Sequence, residues 1–187
     1  EQVFTTSAGI EQADRSFTFP LAMKVVGPVH KSDVGGVVLN VASSEEMHRR
    51  FDALMQIEGA TGVLVQAMAS GVELFAGIKS ETGFGHLVLC GLGGVLIEVL
   101  GDFSSSLAPV SVDEAKRMIR KLRGYQVIKG NRGNEGINES LFVEVVQRLS
   151  ALAAIAPEIA EMDINPLMGS AEEVIAIDTR IRVERPA

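Results

Sequence analysis

A chain of 187 residues with 47 % apolar content is long enough to build one ordinary domain or two small lobes with a core of their own. Its net charge of −7 argues against nucleic acid as a partner, and no apolar run approaches a bilayer span, so no membrane partner is expected. The single cysteine, Cys90, rules out an internal disulfide and points to a reducing, cytoplasmic setting, while a start at Glu1 rather than methionine is what a piece of a longer product would show.

Residues 1–18 are polar, mixed and without clear periodicity, and are expected to be a linker or an incomplete N-terminal element. Leu21 to Val26 is a short apolar run with one lysine, Lys24, in its middle, the pattern of a buried strand that aims a charge into a polar site. Gly27, Pro28, His30, Lys31, Ser32, Asp33, Gly35 and Gly36 follow as a donor-rich loop whose glycines admit close backbone approach to a ligand. Val37 to Val41 leads out of it as a second strand. Ser44 to Ile57 has a serine cap, Glu45 and Glu46 in its first turn and an apolar face of Met47, Phe51, Leu54 and Met55, which predicts a helix. Gly62 to Met68 is the next buried strand, and Ala69-Ser70-Gly71 has the composition of a hinge.

Beyond the hinge, Glu73 to Ile78 and His86 to Cys90 are predicted to pair through a turn at Thr82-Gly83. The glycines Gly91, Gly93 and Gly94 then precede Val95 to Leu100, which carries Glu98. Ser111-x-x-Glu114 is a capping box that opens a helix with Ala115, Met118, Ile119 and Leu122 inward. Gly124 to Gly136 is predicted to be a glycine-rich loop, and Asn138 caps a longer helix with Leu141, Phe142, Val145, Val146, Leu149 and Leu152 on its inner face. Ile159 to Ile164 and Val174 to Ile177 are the last predicted strands, the first of them ended by Pro166.

No Walker sequence is present, and GLGG at Gly91 misses the dinucleotide pattern because Leu96 holds the third glycine position. Glu161, Asp163 and Asn165 alternate, which places them on one strand face, and Asp178 closes the following apolar run. If these two strands pair as a hairpin, Asn165 and Asp178 come together, and an amide and a carboxylate oxygen completed by phosphate and water suit Mg²⁺. Taken singly, Asn165-Pro166 is an ordinary turn former and Asp178 an ordinary strand-end charge. His48 and His86 have the setting of structural histidines.

Lys24, HKSDVGG (30–36), VLVQAM (63–68) with GVE (71–73), GLGGVLIE (91–98) and DINPL (163–167), in that order, resemble the ATP-grasp domain of ADP-forming acyl-CoA synthetases, either their β subunit or the matching part of a fused chain. The resemblance implies an α+β fold in which two small α+β lobes, residues 19–69 and 70–187, clasp a nucleotide. It implies ATP or ADP with Mg²⁺ as the bound species. It assigns phosphate contacts to Lys24 and to the loop of His30, Lys31, Ser32, Asp33, Gly35 and Gly36. Gln66, Ala67 and Met68 become the hinge strand beside adenine, Glu73 faces the nucleotide, Glu98 lines the phosphate region, and Asn165 and Asp178 become the metal ligands.

The reaction so implied interconverts acyl-CoA, ADP and phosphate with free acid, ATP and CoA. It passes through a phosphohistidine on a CoA-binding companion α domain, for which this chain has no match, and His30 is the candidate for a second phosphoryl relay. The helix that precedes the lysine strand in this family is not evident in residues 1–18, and Ser106 stands where a basic residue is common. The same domain type also occurs fused to protein acetyltransferases, so a regulatory or assembly role in nucleotide binding is the alternative.

Overall fold

The computed structural model describes residues 1–13, 16–28, 35–94, 101–131, 133 and 135–184. The chain divides into two compact units, residues 1–68 and 69–187.

In the first unit, β1 (Gln2–Phe4), α1 (Ser7–Ala13), β2 (Leu21–Val26), β3 (Val37–Val41), α2 (Ser44–Met55) and β4 (Gly62–Ala67) follow one another. The strands form one antiparallel sheet in the order β1-β4-β2-β3. Alternation along β2 and β4 sends Met23, Val25, Val63 and Val65 into a core with Met47, Phe51 and Leu54 of α2 and Ile10 of α1. Ser43 caps α2 by accepting from Glu46 N at 3.2 Å, as the serine and the two following glutamates predict. Residues 1–18 are more than the linker expected of them. β1 adds to the sheet edge beside β4, and α1 packs on α2 through the fully buried Ile10. With Ile10 as the buried side chain among the described ones, a seven-residue segment shows too little periodicity to announce a helix.

In the second unit, β5 (Val72–Glu81) and β6 (Gly85–Leu92) form a long hairpin, joined on either side by β7 (Phe103–Leu107) and β8 (Ile159–Gly169). β9 (Val174–Ala176) and β10 (Thr179–Val183) share the outer edge of β8, completing a six-stranded antiparallel sheet. Among the described residues this unit carries the helices α3 (Val112–Arg120), the short α4 (Tyr125–Lys129) and α5 (Glu139–Ile155). Leu74, Ala76 and Ile78 of β5 with Val88, Cys90 and Leu92 of β6 pack against Ala115, Met118 and Ile119 of α3 and Phe142, Val146 and Leu149 of α5. Ser111 and Asn138 cap α3 and α5 at 3.2 Å each, a contribution of about 1 kcal/mol per cap.

Three differences from expectation have physical causes. The loop predicted for 124–136 contains α4, anchored by the buried Ile128. FSSSL forms β7 although serine favours turns, because Gly91 and Phe103, Leu89 and Ser105, and Leu87 and Leu107 pair along β6. β8 does not stop at Pro166. The ladder to β5 is irregular between Leu74 and Ala76, and a bulge is where a strand tolerates a residue without an N–H.

Candidate functional site

Lys24 stands in the middle of β2, opposite Val37 of β3 and Leu64 of β4, and is only 8 % exposed. It lies on the sheet face opposite the core residues Met23 and Val25, so alternation alone separates the charge from the hydrophobic layer. Gly35 has a φ of +67°, a left-handed conformation that costs glycine nothing, and Gly36 O accepts from Val25 N at 2.8 Å, tying the end of the loop to the lysine strand. His30, Lys31, Ser32 and Asp33 lie outside the described residues, as does Glu98.

Gln66 follows Leu64 on the Lys24 face of the sheet, opposite Ala22. Its Oε1 is buried and has no hydrogen-bond donor among the described residues. Leaving such an oxygen unpaired costs about 1–3 kcal/mol. Ala67 is exposed at the strand end, and Met68 N donates to Pro20 O at 3.1 Å. The backbone N–H of Met68 is thus already engaged within the first unit.

In the second unit the structure brings together residues that lie far apart in the chain. Gly93 N donates to Glu73 O at 2.8 Å, and Gly94 N donates to the Asn165 side-chain Oδ1 at 3.0 Å. Gly94 has a φ of +59°, and a Cβ there would overlap the Glu73 carboxylate, so glycine is required both for the turn and for the approach of Glu73. Asn165 N donates to Asp178 O at 3.1 Å, and Ile177 N to Pro166 O at 3.0 Å. These two bonds fall in the gap between β9 and β10, and they hold Asn165 and Asp178 side by side on neighbouring strand segments. Asp178 Oδ1 accepts from Thr179 N at 3.1 Å.

The three alternating polar groups of β8 do not act as one ligand set. Glu161 pairs with Arg182 at 3.4 Å at the surface, and Asn165 is turned to Gly94. Burial pushes the Asp163 carboxyl above its ordinary pKa, which Arg180 opposes and the nearby Glu161 and Asp178 reinforce. His86 is structural, as expected: Nε2–H donates to Ile159 O at 2.8 Å and joins β6 to β8. Gly94, whose amide and bare Cα bring Glu73 and Asn165 together, is the residue that sequence reasoning passed over. Its signal is the GLGG run, which misses the dinucleotide pattern but opens GLGGVLIE (91–98), one of the segments that carry the resemblance.

The donor chemistry fits Mg²⁺. Asn165 Oδ1 has spent one of its two lone pairs on Gly94, and the described hydrogen bond of the Asp178 carboxylate uses only Oδ1. Among the described residues no group of three or more His, Cys, Asp or Glu stands ready to hold a metal by itself. Mg²⁺ takes one or two protein oxygens and completes its octahedron with phosphate and water.

A family model described as an ATP-grasp domain matches residues 1–183. The β subunit of ADP-forming acetate–CoA ligase I from Pyrococcus furiosus is 35 % identical over 173 residues, covering 87 % of this chain and 75 % of that protein. The ADP-forming acetate–CoA ligase I of Archaeoglobus fulgidus is 38 % identical over 175 residues, covering 89 % of this chain but only 26 % of that protein. The chain therefore spans about a quarter of the length of such single-chain relatives. Among solved structures, the dinucleotide-forming acetyl-coenzyme A synthetase 1 of Ca. Korarchaeum cryptofilum, in complex with coenzyme A and Ca-AMPCP, superposes with a TM-score of 0.89 at 32 % identity, over 98 % of this chain and 84 % of that one. A second structure of that synthetase, with coenzyme A and Mg-AMPPCP, has a TM-score of 0.83 at 32 % identity and the same coverage.

Proposed function

The chain belongs to the ATP-grasp domain family, alongside the β subunits of ADP-forming acetate–CoA ligases, and from that premise we propose that it is the nucleotide-binding component of an ADP-forming acyl-CoA ligase. The observation that supports this most is the pairing of Asn165 with Asp178, with Gly94 joining Asn165 to the Glu73 carboxylate. Phosphoryl transfer between acyl phosphate chemistry and ADP asks a protein for positioning and charge neutralisation rather than covalent help. Two small units, residues 19–69 and 70–187 on the sequence reading, divide that work.

Lys24 supplies a fixed positive charge for the phosphates, and the loop of Lys31, Ser32, Asp33, Gly35 and Gly36 supplies amide and side-chain donors. Asn165 and Asp178 are the residues that would hold Mg²⁺, and Glu73 faces the nucleotide. Bound there, Mg²⁺ neutralises phosphate charge and fixes the geometry of the phosphate chain. His30 is assigned the relay of the phosphoryl group, and Glu98 the lining of the phosphate region. A CoA-binding companion carrying the phosphohistidine completes the enzyme, which we place in the cytoplasm. Among the described residues no helix is long and apolar enough to cross a membrane.

The test is reconstitution with a CoA-binding companion from a relative, supplied with acetyl-CoA, ADP, phosphate and Mg²⁺. ATP formation that requires both components is expected. Tight nucleotide binding without ATP formation, by a pair that assembles, would reduce the role to binding alone.

A further inference from the structure

At the β10 edge of the second sheet, the face away from the helices carries its charges in rows. Register sets Arg182 opposite Glu161 and Arg180 opposite Asp163, on the side away from the core-packed Met162 and Ile164. The Glu161 row is closed. Arg182 pairs with Glu161 at 3.4 Å and with Glu184, and Lys79 of β5 pairs with Glu81 at 3.0 Å. The Asp163 row is open. There β5 contributes Gly77, which brings no charge, and Arg180 is exposed while Asp163 is half-buried. Among the described residues Arg180 makes no hydrogen bond and no ion pair. Arg180, Glu161 and Asp178 all act on the Asp163 carboxyl, so the four charges share one neighbourhood. Arg180 also follows Asp178 by two residues, about 7 Å along an extended chain.

We propose that the Arg180 guanidinium grips the terminal, transferable phosphate of the nucleotide, on the far side of the metal from the sugar. This rests on the nucleotide-binding reading above and deepens it. Position along β8 sets the order. Met168 lies opposite Glu73, Asn165 beside Asp178, and Asp163 opposite Arg180. With the nucleoside at Glu73 and the metal on Asn165 and Asp178, the end of the phosphate chain is the part that reaches Arg180. A guanidinium matches phosphate because its planar fork donates two parallel hydrogen bonds to two oxygens. Arg182, one row further on, already has two carboxylates, whereas Arg180 stands ready for an incoming anion. A fixed cation there neutralises charge on the phosphoryl group as it is transferred.

The experiment compares ATP with ADP, which differ by that phosphate alone. Calorimetric affinities are measured with Mg²⁺ for the parent, Arg180→Gln, Arg180→Lys and Arg182→Gln, each checked for a cooperative melt. Arg180→Gln should weaken ATP by roughly 10- to 150-fold, the worth of hydrogen bonds to a charged group, and leave ADP unchanged. Arg180→Lys keeps the charge without the fork, so its loss should be smaller and again confined to ATP. Arg182→Gln, on the same strand and face, should bind both nucleotides as the parent does. An unchanged ratio of ATP to ADP affinity in both Arg180 variants, whether both ligands are weakened or neither is, overturns the proposal and leaves nucleotide binding standing. An equal loss of ATP in Arg182→Gln also overturns it, since the effect would then belong to the general field of the edge strand. Failure of the well-folded parent to bind any nucleotide would instead overturn the nucleotide reading, and this inference with it.

Discussion

Gly94→Ala is the sharpest perturbation of the proposed site, because the structure separates its two costs. Alanine at a φ of +59° pays for a left-handed backbone, roughly 1–2 kcal/mol. Its methyl group also meets the Glu73 carboxylate, which is the flexible end of an exposed side chain and yields by moving away. The first cost falls on stability, and the second falls on whatever Glu73 binds. Gly83→Ala, in the β5–β6 turn, is the control: its φ is +82° and an added methyl group meets nothing within 4 Å. Both variants should melt lower by similar amounts, about 2–8 °C for a chain of this size. Only Gly94→Ala should weaken Mg·ADP binding. If the displaced carboxylate loses one charged hydrogen bond of about 1.5–3 kcal/mol, the loss is roughly 10- to 150-fold. Melting and calorimetric titration of the three proteins decide the matter. Parent-like affinity in Gly94→Ala would refute the assignment of Glu73 and Gly94 to the nucleotide site.

Asn165→Ala and Asp178→Ala should both abolish the Mg²⁺ dependence of nucleotide binding yet differ in stability. The first leaves the Gly94 N–H without its acceptor at a cost of about 1–3 kcal/mol, whereas the second removes only a local bond to Thr179. Equal melting temperatures, or metal dependence intact in either variant, would contradict this. Burial pushes the Cys90 thiol up to about 12, so in the native state it stays protonated and unreactive. Iodoacetamide at pH 8 should label it only as denaturant unfolds the chain, and labelling of the native protein at the unfolded rate would refute its burial. Because the folded thiol pKa lies above its ordinary value near 9, its stabilising contribution is complete below that pH and fades as pH rises through about 12.

Elements with a strong local pattern were legible in the residues alone. LAMKVV and GVLVQA form strands where continuous apolar runs say so, and Ser43, Ser111 and Asn138 cap the helices they were expected to cap. α1 escaped because its burial rests on Ile10, and β7 because its three serines pair with β6 for reasons of register rather than propensity. The proximity of Asn165 and Asp178 followed from expecting two neighbouring strands to pair. The bond from Gly94 to Asn165 spans 71 residues and is made by a backbone amide. No spacing rule reaches that far, since it depends on β8 lying beside β5 and on a glycine turning at the end of β6. The Gln66 oxygen was equally silent, because an amide in an apolar strand shows its unmet hydrogen bond only once its neighbours are in place.

The central claim is a Mg²⁺-dependent nucleotide site, and calorimetric titration with ADP and ATP, with and without Mg²⁺, addresses it most directly. Saturable binding of both nucleotides is expected, strengthening markedly when Mg²⁺ is present and losing that gain in Asp178→Ala. Binding indifferent to Mg²⁺, or no binding by a chain that melts cooperatively, would contradict it.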